Sequence, residues 1–159
     1  RGVFIGAGVK LVGPVRIGDH VVIRENTVVG ADGLTTDRDE DGRALPMPQF
    51  GGVVLEDGVE IGANVVIARG AIDDTVIGAG SKIDNSSFIS HNVRIGKDTF
   101  VVGEAILFGS VTVGDRVLVS GNVTVRNQVQ IGDDAIVGMG AVVVRDVSPG
   151  AKVKGNPAR

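Results

Sequence analysis

The sequence predicts an all-β fold in which short strands follow one another around the coils of a parallel β-helix. Three observations predict it. Between positions 77 and 143, every sixth residue is aliphatic, at twelve of twelve positions. The residue four places after each of these is small or β-branched, as at Ser81, Ala105 and Val123. The chain also has 25 glycines but only five aromatic residues, all Phe, which suits an interior too narrow for rings.

The six-residue period defines the coil. A helix repeats every 3.6 residues or so and a single strand every two, so a period of six fits a short strand followed by a turn. Three such hexads, about 18 residues, close one triangular coil, and successive coils stack about 4.8 Å apart as parallel strands. The same repeat runs through positions 5–29 and 55–67, with a two-residue slip between Ile67 and Ile77. The repeat therefore predicts that residues 1–159 form one rod of about seven coils, roughly 30 Å long.

The repeat is interrupted at residues 31–52. This segment is rich in acidic residues and contains Pro46 and Pro48, which predicts a loop ejected from a corner of the rod. At about 20 residues it exceeds ordinary connections, so we expect it to border a functional site, the alternative being a mobile acidic excursion.

Composition excludes several classes of function. The 16 Lys+Arg against 19 Asp+Glu give a formal charge of −3, which argues against nucleic-acid binding. Cysteine is absent, so disulfides, thiolate metal sites and cysteine nucleophiles are excluded. No apolar run approaches the roughly 20 residues of a membrane span, and the first residues do not resemble a signal peptide. We therefore expect a cytoplasmic protein without a transmembrane segment.

His91 is the residue best suited to chemistry. It falls two places after the interior Ile89, so it points outward near a corner, where an imidazole can act as a general base or simply be solvated. One coil later, Gly109 should lie one strand spacing away and expose its backbone N–H, unless it only serves a turn. A base beside an open N–H donor is the minimal equipment for acyl transfer. We expect His20 to be a solvated side chain and the pair Asp73–Asp74 to be a solvated corner or an interface contact.

The sequence between positions 30 and 96 resembles the N-acyltransferase family of lipid A biosynthesis, whose members acylate UDP-linked 3-acyl-glucosamine. The similar segments are residues 30–33, 48–54, 59–64, 69–78, 83–85 and 91–96. These segments are more specific than the hexad, which many unrelated transferases share, and they cover less than half of the chain.

The resemblance implies a left-handed coil and a set of roles. It implies His91 as catalytic base, Gly109 as oxyanion donor and Asn85 as a contact near the reacting groups. We also expect Phe50 and Gln128 to contact substrate, Gln128 lying where the family has a second histidine. The resemblance further implies a homotrimer with active sites in clefts between neighbouring rods, and acyl-ACP or acyl-CoA as co-substrate. No metal or permanently bound cofactor is expected.

Two departures from that family keep alternatives open. Residues 126–128 read Arg-Asn-Gln at the second-histidine position, and residues 147–159 resemble the hexapeptide acetyltransferases that use acetyl-CoA. We also expect no counterpart of the family's amino-terminal uridine-binding domain or carboxy-terminal helical extension.

The sequence thus predicts an N-acyltransferase acting on a nucleotide-linked amino sugar, as in lipid A or surface polysaccharide biosynthesis. An acetyl-CoA-dependent sugar N- or O-acetyltransferase and a non-catalytic trimeric scaffold or sugar-binding β-helix are the alternatives. The γ-class carbonic anhydrases, which share the rod, are disfavoured because two histidines cannot supply three zinc ligands per protomer.

Overall fold

The computed structural model describes all 159 residues and contains only β-strands, most of them two or three residues long. In chain order the strands are β1 (Phe4–Ile5), β2 (Lys10–Leu11), β3 (Val15–Ile17), β4 (Val22–Ile23), β5 (Val28–Ala31), β6 (Thr36–Arg38), β7 (Ala44–Pro46), β8 (Val53–Leu55), β9 (Glu60–Ile61), β10 (Val66–Ala68), β11 (Thr75–Ile77), β12 (Lys82–Ile83), β13 (Phe88–Ile89), β14 (Arg94–Ile95), β15 (Phe100–Val101), β16 (Ile106–Leu107), β17 (Thr112–Val113), β18 (Leu118–Val119), β19 (Thr124–Val125), β20 (Gln130–Ile131), β21 (Ile136–Val137), β22 (Val142–Val143) and β23 (Lys152–Val153). No helix has the length and hydropathy that crossing a membrane requires.

Three parallel sheets form the sides of a triangular rod. Face A is the outer surface of the eight-stranded sheet β1-β4-β9-β12-β15-β18-β21-β23. Face B covers the seven strands β2-β5-β10-β13-β16-β19-β22, and face C covers the six strands β20-β17-β14-β11-β8-β3. The chain runs from A to B to C and back, so the rod has an A–B, a B–C and a C–A corner. This is the left-handed parallel β-helix predicted from the sequence, with eight strands on its tallest side where about seven coils were expected.

The register of the sheets confirms the 18-residue coil. Phe88 pairs with Ile106 on face B, and Arg94 pairs with Thr112 on face C. The aliphatic lane and the small lane both point inward, where thirty residues form one buried cluster. Polar members of the small lane are satisfied by hydrogen bonds: the buried Ser81 hydroxyl donates to the Gly96 carbonyl at 2.7 Å and accepts the Thr99 N–H at 2.9 Å.

The glycine that often follows an interior aliphatic residue does not supply the unusual backbone angles of the corner. Gly78, which follows Ile77, has no positive φ. That conformation falls two residues later in the corner, at Asn92 (φ 59°) and Ser110 (φ 61°), among others. Glycine is needed at position 78 for space instead, because a Cβ there would lie 2.5 Å from the Gly96 carbonyl oxygen. The coils are simply too closely stacked at that point.

Two irregular segments leave the rod at the same B–C corner. Residues 32–52 connect β5 to β8 and carry the antiparallel hairpin β6–β7, in which Asp37 pairs with Leu45. Residues 69–74 form a longer turn between β10 and β11. The ten residues from Ile67 to Ile77 are therefore one hexad with four residues inserted, rather than two hexads shortened by two. Both segments therefore lie at the corner on which His91 also falls.

Candidate active site

His91 and Gly109 are stacked neighbours on the B–C corner. The Ser110 N–H donates to the His91 carbonyl at 2.9 Å, which holds the two coils in register. A Cβ built on Gly109 would lie 2.5 Å from Cε1 and 2.6 Å from Nε2 of His91. The Cε1–Nε2 edge of the imidazole thus lies against the Gly109 backbone, and only glycine leaves room for it.

The Gly109 N–H donates to no acceptor in the protein. At some comparable corner positions a side chain of a neighbouring coil accepts this donor: the Lys97 N–H binds Asp115 Oδ1 at 2.7 Å, and the Gly103 N–H binds Asp84 Oδ2 at 3.1 Å. At others, such as Gly121, the N–H has no acceptor in the protein either. The coil beside Gly109 presents Asn127 at the equivalent place and makes no such bond. A donor with no internal acceptor therefore lies next to the imidazole.

Asn92 orients the imidazole. Its Oδ1 accepts the Ala71 N–H at 3.0 Å and its Nδ2 donates to the Asp73 carbonyl at 2.9 Å, which defines the direction of the amide. The same Oδ1 lies 3.1 Å from His91 Nδ1, so in the neutral imidazole Nδ1 carries the proton and Nε2 has the lone pair beside Gly109. The sequence analysis did not identify Asn92, although an Asn directly after a candidate base, where the turn needs a positive φ, was an available signal.

The ejected loop contacts the same histidine. A Cβ on Gly33 would lie 3.1 Å from His91 Cβ and 3.2 Å from its Cδ2, so the start of the loop packs against the imidazole. Leu34 follows and lines the cavity in front of the ring. The loop therefore borders the candidate site on the side toward the amino terminus.

Two side chains anchor the base of the loop. Arg69 donates from Nε to the Gly51 carbonyl at 2.8 Å and lies 3.7 Å from Asp32 at the other end of the loop. Asp74 accepts the Gly52 N–H at 2.7 Å and forms an ion pair with Arg16. The Gly52 N–H, with a further contribution from the guanidinium, lowers the pKa of the Asp74 carboxyl below its ordinary value. Asp74 is thus an anchor of the loop, whereas the sequence suggested a solvated corner or an interface contact for the pair Asp73–Asp74.

A cavity of about 760 Å³ opens in front of His91 and Gly109 along face B. Its walls are mostly apolar and include Phe88 and Phe108. A second cavity of about 580 Å³ continues it toward the carboxy terminus and is polar, with Asn127 and Arg145 in its wall. Arg126, Asn127 and Gln128 line both cavities.

The other predicted site residues lie at different distances from this centre. Gln128 lines both cavities, and its N–H donates to the Gly109 carbonyl at 3.0 Å. Phe50 is 72 % exposed on the returning arm of the loop and does not line the cavity. Asn85 lies on the A–B corner, where its Oδ1 accepts the Ala63 N–H at 2.7 Å. Within one protomer the structure therefore does not bring Asn85 to His91.

His20 lies at the C–A corner, with φ 57°, away from the other candidates. No group of three or more histidine or acidic side chains is arranged to hold a metal ion.

Two models of repeat families match the chain. Bacterial transferase hexapeptide (six repeats) matches residues 1–31 and 110–145, and the hexapeptide repeat of succinyl-transferase matches residues 47–69 and 92–127. Together the two models cover Gly109, the neighbour of His91, and most of both halves of the rod.

Similar proteins include acyltransferases that act on sugar nucleotides. A UDP-3-O-acylglucosamine N-acyltransferase from Coxiella burnetii is 51% identical over 102 residues, which are 64% of this chain and 30% of the relative. The chain thus spans about a third of the length of the curated relatives it matches.

Solved structures share the rod over nearly the whole chain. A UDP-N-acetylglucosamine acyltransferase from Bacteroides fragilis superposes with a TM-score of 0.86 at 19% identity, covering 99% of this chain and 64% of that one. A variant perosamine N-acetyltransferase from Caulobacter crescentus, solved with CoA and GDP-perosamine, has a TM-score of 0.62 at 24% identity and covers 98% and 56%. At these identities the likeness concerns the fold.

Proposed function

We propose that this chain, which matches two hexapeptide-repeat models over residues 1–31, 47–69 and 92–145, transfers an acyl group from a thioester to the amine of a nucleotide-linked amino sugar. One observation carries the proposal: the lone pair of His91 Nε2 faces a cavity directly beside the unpaired N–H of Gly109. The relative from Coxiella burnetii supports the amine of a UDP-linked glucosamine derivative as the acceptor.

The chemistry follows from these two groups. The amine attacks the thioester carbonyl while His91 Nε2 takes a proton from it, a contribution of about 10²- to 10⁴-fold in rate. The carbonyl oxygen becomes an oxyanion and accepts the Gly109 N–H, which is worth roughly 3 kcal/mol in comparable sites. Collapse of the tetrahedral intermediate breaks the carbon–sulfur bond, and the thiolate leaves with the proton that His91 had taken. The thioester is already activated, so these steps need no metal.

The two cavities suggest where the substrates lie. Acyl-ACP and acyl-CoA both carry the acyl group on a phosphopantetheine arm of about thirteen bonds, roughly 15 Å when extended. From Gly109 the B–C corner passes Asn127 and reaches Arg145 two coils later, about 10 Å along the rod. An arm that lies on this corner without being fully extended places its phosphate near Arg145, and the acceptor then enters from the side of the loop. Either carrier satisfies this geometry, and we place the reaction in the cytoplasm, where both carriers are made.

A homotrimer would close the cavity. On three nearby strands face A presents Phe100, Leu118 and Ile136. Face B presents Phe88, Ile106 and Val142, with Thr124 between the last two. Face C instead presents Arg94, Thr112 and Gln130. Two adjacent apolar faces and one polar face favour a cyclic assembly in which face A of one copy packs on face B of the next.

This assembly gives Asn85 its only route to the candidate site. The cavity in front of His91 lies on face B, which the neighbouring copy would cover with its face A. If the A–B corner of the neighbour meets the B–C corner, the partner's Asn85 approaches His91. The role that the family resemblance implies for Asn85 thus depends on the trimer.

Release of free thiol tests the proposal. The protein is incubated with acetyl-CoA and with acyl-carrier thioesters in the presence of UDP-linked and GDP-linked amino sugars, and thiol is followed with a chromogenic disulfide. We expect acceptor-dependent turnover that falls at least 10²-fold in His91→Ala, with the sedimentation coefficient of a trimer in both proteins. Unchanged turnover in the variant would remove His91 from the mechanism. No turnover on any pair of substrates would favour the scaffold alternative.

A further inference from the structure

The outer side of face B changes character two coils above the candidate base, which is one coil above Gly109. Beside His91 the cavity wall carries the rings of Phe88, on β13, and Phe108, directly after β16, with Ser90 and Ser110 next to them. The next coil presents Thr124 and Arg126 instead. The coil after that is apolar again, with Val142 and Val144. A polar layer therefore divides two apolar stretches of the same cavity.

Arg126 makes this layer costly for a hydrocarbon chain. Its guanidinium forms no ion pair in the structure, unlike that of Arg116, which binds both carboxylate oxygens of Asp134. A chain laid across Arg126 would remove water from an uncompensated charge, which is unfavourable. An acyl group that stops before the layer, or that ends in a polar group, avoids this cost.

We propose that Arg126 is a specificity-determining residue that ends the acyl pocket, so that the donor carries a short acyl group. The proposal rests on the proposed acyl transfer and specifies its donor. The acyl carbonyl lies at Gly109, and the layer of Arg126 begins one strand spacing further along the rod, about 4.8 Å. Bonds between carbons are near 1.5 Å and zigzag along an extended chain, so about four carbons fill this length.

Removal of the charge should join the two apolar stretches. In Arg126→Leu the apolar wall continues from Phe108 to Val144, which gives a longer chain new surface to contact. Each further buried methylene is worth about 0.8 kcal/mol, so four of them predict a preference changed by well over tenfold. Arg94→Leu is the matched control, because Arg94 is an exposed arginine on face C, outside both cavities.

The experiment compares kcat/KM for thioesters of two, four, eight and twelve carbons on one carrier. For the unmodified protein we expect at least a tenfold fall between four and eight carbons. Arg126→Leu should raise the ratio of the eight-carbon to the two-carbon value at least tenfold, while Arg94→Leu leaves the profile unchanged.

Three outcomes overturn the inference. One is equal use of twelve-carbon and two-carbon donors by the unmodified protein. Another is an Arg126→Leu profile lowered by the same factor for every donor, which would assign Arg126 to the phosphate of the carrier arm. If the unmodified protein turns over no donor, the proposed function fails. Calorimetric binding of the same thioesters then tests the inference separately. The inference is overturned if the twelve-carbon thioester binds as tightly as the two-carbon one.

Discussion

Replacement of Gly109 by Ala is the sharpest test of the candidate site. The new Cβ would lie 2.5 Å from Cε1 of His91, whereas ordinary contact begins at 3.4 Å, so the imidazole must move by about 1 Å. The backbone itself accepts the substitution, because Gly109 does not have a positive φ. Since His91 is only partly buried, its ring can swing outward, and the rod should keep its fold.

The displacement predicts a kinetic defect without a stability defect. A misplacement of about 1 Å at a reacting group can cost about 10²-fold in rate, so we expect kcat/KM to fall by that factor in thiol-release assays. Circular dichroism and the melting temperature should stay close to those of the unmodified protein. Gly121→Ala is the matched control, because Gly121 is a corner glycine whose added Cβ would come no closer than 3.4 Å to any neighbour.

The comparison of the two alanine variants decides the reasoning. If Gly109→Ala keeps the activity of the Gly121→Ala control, the stacked imidazole is not the base and the site must lie elsewhere. If both variants lose activity together, glycine at the corners serves the rod in general and Gly109 has no special part. Only a loss confined to position 109 supports the proposed geometry.

Two further predictions concern the contacts around this centre. Asn92→Asp keeps an oxygen beside His91 Nδ1 but adds a negative charge, which favours the imidazolium. The acidic limb of the pH–rate profile should therefore move to higher pH by about one unit. An unmoved limb would mean that Asn92 does not contact the working base. Because the pKa of Asp74 is lowered in the folded protein, this carboxylate contributes stability at pH values above its unfolded-chain pKa of about 3.9. That stability is lost as the pH falls through the folded-state pKa. Protease cleavage within residues 31–52 should therefore increase below about pH 4 and should already be faster at neutral pH in Asp74→Asn, and cleavage that is independent of both would argue against this anchor.

Much of the fold could be predicted because the interior repeats along the chain. A lane of aliphatic residues at every sixth position can be buried only in a coil of three such units, so the register of Phe88 with Ile106 follows from arithmetic. The same arithmetic placed Gly109 beside His91. The ejected loop was visible because its charges and prolines have no place in a stacked strand.

The rest of the site could not be predicted because it depends on contacts between irregular segments. The turn at residues 69–74 has no repeat to read, yet it provides the Ala71 N–H and the Asp73 carbonyl that orient Asn92. The resemblance also implied that Asn85 lies near the reacting groups at His91, but the two residues are six apart in the chain. Six residues are one side of the triangle, so they lie at different corners.

By itself, the sequence determined the coil, its spacing and the corner on which an imidazole meets a bare backbone amide, because each of these follows from a periodic pattern of side-chain size. Only the tertiary structure decided that the ring's Nδ1 is held by Asn92, that the loop start packs on His91 and that Arg126 interrupts the apolar wall. Those features arise where segments distant in the chain share space outside the rod, and no period in the sequence records which outward side chains will meet there.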